Sequence, residues 1–85
     1  MFWDKLPAEP GEQVRYYYRK FLEKLVTKKV ELTKADTSLV IQEKAEIVFP
    51  QGPEEIRDIY IASRDGEKEA DSATAAQIEQ LYKDL

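Results

Sequence analysis

The sequence predicts a small helical domain of three or four helices. Three observations carry this. Apolar residues recur at three- and four-residue steps in three separate stretches, Pro50-Gln51-Gly52-Pro53 breaks the middle of the chain, and turn or capping residues precede each later stretch.

The clearest helix runs from Gly11 to Lys29. Val14, Tyr17, Tyr18, Phe21, Leu22 and Leu25 form one apolar face, and Arg15, Arg19, Lys20, Glu23, Lys24 and Thr27 fall on the other side. Pro10 suits the first turn, where a missing N–H costs nothing. Val30 to Ala35 reads as a connector, after which Asp36 or Thr37 can cap the next element with a side-chain oxygen.

That next element supports two readings. As a strand, Leu39, Ile41, Ala45, Ile47 and Phe49 alternate onto one face with Glu43 out of place. As a helix, Val40, Ile41, Ala45, Ile47, Val48 and Phe49 cover one broad arc, with Gln42, Glu43 and Glu46 opposite. Local pattern leaves both open.

Beyond the breaker, Pro53-Glu54-Glu55 has the proline-then-acid form of a helix start, with two carboxylates at the positive end of the helix dipole. Ile56, Ile59, Tyr60 and Ser63 keep helical spacing, whereas a strand would split Ile56 from Ile59. A charged loop from Arg64 to Ala70 follows. The last helix starts between Asp71 and Thr74, with Thr74 and Gln77 spaced as a capping box and Ile78, Leu81, Tyr82 and Leu85 as its apolar side.

Composition narrows the function more than the fold. Eighty-five residues suffice for one domain with one core, so residues 1–85 are read as a single domain with residues 1–10 as an N-terminal extension. The chain has neither cysteine nor histidine, which removes disulfides, thiolate zinc sites, cysteine nucleophiles and the usual near-neutral general base. Glu54 with Glu55 and Glu67 with Glu69 are the only carboxylate clusters. The first has the dipole explanation, and the second lacks the alternating ligands of a calcium loop. No catalytic, metal or cofactor site is therefore expected, and no small-molecule substrate is inferred. No run approaches the roughly 20 apolar residues of a membrane span, so the chain as given is expected to be soluble.

The order of motifs is familiar: Val14-Arg15-Tyr16-Tyr17-Tyr18-Arg19-Lys20-Phe21-Leu22, then Asp36-Thr37, then Ile59-Tyr60-Ile61-Ala62-Ser63-Arg64, then a final amphipathic helix. From about Phe2 to Leu85 the chain resembles the domain of unknown function at the cytoplasmic C-terminal end of membrane-anchored transglutaminase-like proteins. Asp65 stands where that family usually has tyrosine, and Val40 where a glutamate commonly completes a cap. The resemblance implies an all-α bundle of four helices, at about 11–29, 37–49, 53–63 and 72–84. The alternative is α+β with residues 38–49 as a strand. The resemblance also implies an interaction or regulatory tail without catalytic residues, at the inner face of the membrane, with Met1 the start of an excised piece.

Charge is distributed unevenly. From Glu12 to Lys34 there are seven basic and three acidic residues, net +4, and from Ala35 onward five basic and twelve acidic, net −7. Two readings stand. Arg15, Tyr16, Arg19, Lys20, Lys24, Lys28 and Lys29 form a candidate interaction surface for an anionic membrane, for nucleic acid or for a protein partner. Otherwise they are a solvated helix face whose cations pair with the acidic half of the same fold. Among phosphate-bearing partners, the overall charge of −4 argues against nucleic acid, and the tail resemblance favours lipid. Of Tyr16, Tyr17 and Tyr18, helical spacing turns two toward the core and leaves Tyr16 outward. Phe2 and Trp3 are expected to pack back on the core, anchor an interface or mark a membrane boundary.

Overall fold

A computed structural model describes residues 6–64, 66 and 70–85. It contains four helices: α1 (Pro10–Thr27), α2 (Ser38–Val48), α3 (Pro53–Arg64) and α4 (Ser72–Lys83). No strand occurs among the described residues, so the fold is all-α and the strand reading of residues 38–49 falls. Phe2, Trp3, Asp65, Glu67 and Glu69 lie outside the described residues.

Helix α1 starts at Pro10, whose fixed φ suits a first turn. It buries Val14, Tyr17, Tyr18, Phe21 and Leu25 on one face, as the helical period requires. Helices α4 and α3 cover that face, and α2 packs on α3. The aromatic residues set the positions of these contacts. Tyr18 stacks on Tyr60 of α3 with ring centroids 3.8 Å apart and planes 7° from parallel, while Tyr17 meets Tyr82 of α4 at 5.9 Å.

The end of α1 departs from the expected boundary. Regular helix stops at Thr27, and Lys29 adopts φ 66°, in the left-handed region. The Val30 N–H donates to the Leu25 carbonyl at 3.0 Å and the Lys29 N–H to that of Val26 at 2.9 Å. This pair of bonds is a Schellman motif, in which the left-handed residue is usually glycine. Lys29 holds that conformation with a Cβ, and the motif turns Val30 back against the core.

For α2, Thr37 is the cap: its hydroxyl oxygen accepts from the Val40 N–H at 3.3 Å. Asp36 serves elsewhere, accepting from the Thr33 hydroxyl at 2.8 Å and from Lys44 Nζ at 2.7 Å. Only Ala45 of this helix is fully buried. Ile47, expected on the same apolar arc, is 85% exposed. Two residues along a helix rotate a side chain by about 200°, which carries Ile47 to the side opposite Ala45. Arg57 Nε donates to Ser38 Oγ at 3.0 Å and ties the start of α2 to α3.

Gly52 leads into α3 with φ 110°, a conformation other residues rarely adopt. A Cβ there would lie 3.0 Å from Leu85 Cδ2. The start of α4 corrects the expected capping box. Asp71 is the cap, its carboxylate accepting from the Thr74 N–H at 2.8 Å and from the Thr74 hydroxyl at 2.9 Å. The carboxylate of Asp71 has the reach to take both donors, so Thr74 becomes the third helical residue rather than the cap.

The two kinds of apolar residue should respond differently to truncation. Phe21, 1% exposed, is expected to cost about 3–5 kcal/mol as Phe21→Ala, whereas Ile47→Ala should stay within about 0.5 kcal/mol. Lys29→Gly is expected to stabilise by about 0.5–1 kcal/mol, because glycine takes the left-handed position without a steric cost but loses more chain entropy. Urea denaturation of the three variants measures all of these.

Candidate interaction surface

The seven residues of the candidate surface divide into two groups in the folded chain. Tyr16, Lys20 and Lys24 are drawn into contacts within the fold. Tyr16 packs edge-on against Tyr17 with centroids 5.0 Å apart, and Lys20 Nζ lies 5.6 Å from the Tyr16 ring centre and 3.6 Å from a Glu23 carboxylate oxygen. Lys24 Nζ sits 5.1 Å from the Tyr82 ring centre and donates to the Leu85 main-chain oxygen at 3.3 Å. Such contacts cover apolar surface with the lysine stems and give each ammonium a partner.

Arg15, Arg19, Lys28 and Lys29 are exposed, and their side chains make no hydrogen bond or ion pair among the described residues. Arg15 and Arg19 stand one turn apart on the outer side of α1. Lys28 and Lys29 lie past the last full turn, roughly 14 Å along the axis from Arg19 and roughly 20 Å from Arg15. The basic surface is therefore two patches rather than one stripe.

The second patch includes residues that periodicity placed elsewhere. Lys28, Lys29, Val30 and Glu31 face Lys44, Ile47 and Val48 of α2 across an open groove of about 460 Å³. Lys44 is fixed there, with Nζ 2.7 Å from both the Asp36 carboxylate and the Glu31 carbonyl. Two signals for this site were present in the chain. No glycine or asparagine follows the helix at Lys28-Lys29-Val30, and Ile47 sits one turn after Glu43, on the charged side of its helix.

Beside α4 a small polar set fastens the buried face of α1. The Glu79 carboxylate accepts from Lys83 Nζ at 2.7 Å and lies close to the Tyr17 phenol. The bond from Lys83 and its charge hold Glu79 below the usual carboxylate range, and the Glu79 carboxylate in turn raises Lys83. Burial pushes the Tyr17 phenol up, with Glu79 adding to it, and burial likewise raises Tyr18 beside Tyr60. Asp36 is lowered by its bonds from Lys44 and Thr33.

Among the described residues no three carboxylates lie together so as to hold a metal ion, and no helix is long and apolar enough to cross a membrane. Comparison with known proteins finds no matching family model, no similar curated protein and no similar solved structure.

Alkaline pH should loosen the tyrosine contacts. Tyr17 and Tyr18 titrate above the ordinary phenol value of 10.0 in the fold, so their contribution to stability is complete below that pH and is lost as pH rises through their raised values. Lys83, also raised, acts in the same direction. The lowered Asp36 and Glu79 carboxyls act at the other limit, where stability falls as pH drops through their depressed values. Absorbance titration of tyrosinate is expected to show two of the five tyrosines ionising late, with thermal melts from pH 8 to 11 falling in parallel.

Proposed function

We propose that this domain acts without chemistry of its own, as a docking or regulatory module that holds an anionic, phosphate-bearing surface through cations of α1 and the turn after it. One observation carries the reading. Arg15, Arg19, Lys28 and Lys29 stay without a carboxylate partner among the described residues, in a chain that carries 17 acidic side chains. Pairing among the described residues does not account for these four, and hydrated cations near a surface of opposite charge gain energy without a desolvation cost.

The surface we favour is the anionic cytoplasmic leaflet. Resemblance to the cytoplasmic tail of membrane-anchored transglutaminase-like proteins supports that address, and a tethered domain meets the leaflet at high local concentration. A net charge of −4 would repel a long polyanion approaching from other directions, which disfavours nucleic acid.

Co-sedimentation with vesicles of phosphatidylglycerol and phosphatidylcholine, at low and high salt, tests this. Binding is expected to weaken with salt, and replacing Arg15, Arg19, Lys28 and Lys29 together by glutamine is expected to weaken it by about tenfold or more, since each basic residue at the membrane surface adds about 1 kcal/mol. A short oligonucleotide assayed in parallel separates the sources of phosphate. Tighter binding to the oligonucleotide than to the vesicles would replace the membrane reading with that of a small nucleic-acid-binding regulator.

A further inference from the structure

The groove between the end of α1 and α2 combines three features that stability does not explain. Ile47 is 85% exposed at its edge. Lys28 and Lys29 flank it without ionic partners among the described residues. Lys29 also occupies a left-handed position where glycine would cost less. A side chain retained at a strained backbone position points to a use for that side chain.

The combination selects among anionic partners. A phosphate backbone uses the lysines and gains nothing from a projecting isoleucine. A bilayer uses both, since lipid headgroups take the cations while an apolar side chain enters the boundary between headgroups and acyl chains. The lining of the groove is basic on balance. It carries Lys28, Lys29 and Lys44 against one carboxylate, that of Glu31, while Glu43, one turn before Ile47, and Glu46 lie outside it.

We propose that this edge is the point at which the domain touches an anionic bilayer, with Ile47 inserted and Lys28 and Lys29 on the surrounding headgroups. The inference rests on the membrane reading given above and adds which end of α1 makes contact. In this arrangement Arg15 and Arg19, at the other end of the helix, contribute through longer-range attraction.

The chain has no cysteine, so Ile47→Cys offers a unique attachment point for an environment-sensitive fluorophore, with Asp58→Cys on α3 as the control. With vesicles of equal parts phosphatidylglycerol and phosphatidylcholine, the label at position 47 is expected to shift to the blue and brighten while that at 58 stays unchanged. Unlabelled Ile47→Ser is expected to bind several-fold more weakly with its salt dependence retained. Lys29→Gly is expected to melt a few degrees higher yet bind about fivefold more weakly, which separates loss of contact from loss of fold. Vesicle binding by the unaltered protein with no spectral change at position 47 would overturn the contact point and leave the membrane reading standing. Failure of the unaltered protein to bind vesicles at low salt, or binding only to an acidic polypeptide or an oligonucleotide, would overturn both.

Discussion

Burial of the stripe formed by Val14, Tyr17, Tyr18, Phe21 and Leu25 is the contact on which the other helices are assembled. Helices α3 and α4 pack directly on it, and α2 reaches the same core through Ala45 and its contacts with α3. A chain of this size buries a modest share of its surface, so aromatic residues matter beyond their number. Tyr17 and Tyr18 cover the two flanks of the stripe, one against α4 and one against α3. Their phenol oxygens stay near the edge, where Glu79 is within reach of Tyr17. The described residues bury no polar or charged side chain, and cohesion is therefore mainly hydrophobic.

Because the core uses no charge, the charged residues are left to the surface, where isolated pairs add little to stability. Their arrangement is then free to serve contact with other molecules. Lys20, Lys24 and Lys44 are settled on rings, carbonyls or carboxylates of their own fold. Arg15, Arg19, Lys28 and Lys29 make no such contact among the described residues. Lys29 shows the distinction most sharply, since its backbone terminates α1 correctly while its side chain gives the helix end no carboxylate contact.

Much of the fold was legible because each helix carries its own signal. Val14 through Leu25 repeat with the helical period, Pro53 and two glutamates announce α3, and Gly52 permits the turn before it. The start of α4 was legible to within a turn, but not its cap, because Thr74 and Asp71 both offer a capping oxygen and spacing cannot tell which one lies outside the helix. Residues 38–49 resisted a local reading because they are apolar on too many sides to fit either period cleanly. The candidate surface was legible as a set of residue types and not as an arrangement. Helical spacing alone cannot say that Lys24 turns to Tyr82 or that Lys29 faces Ile47, since both partners belong to other helices.

The sequence by itself determined that the chain folds around one amphipathic helix, that Tyr17 and Tyr18 face inward, and that basic residues concentrate in the first third. These are consequences of periodicity and composition, which act over a few residues. Tertiary structure decided that residues 38–49 are helical, that Ile47 stands in solvent, and that the seven basic and aromatic candidates separate into a settled group and two open patches. Such outcomes depend on which helix covers which face, and that is settled only when the buried stripe of α1 selects its neighbours.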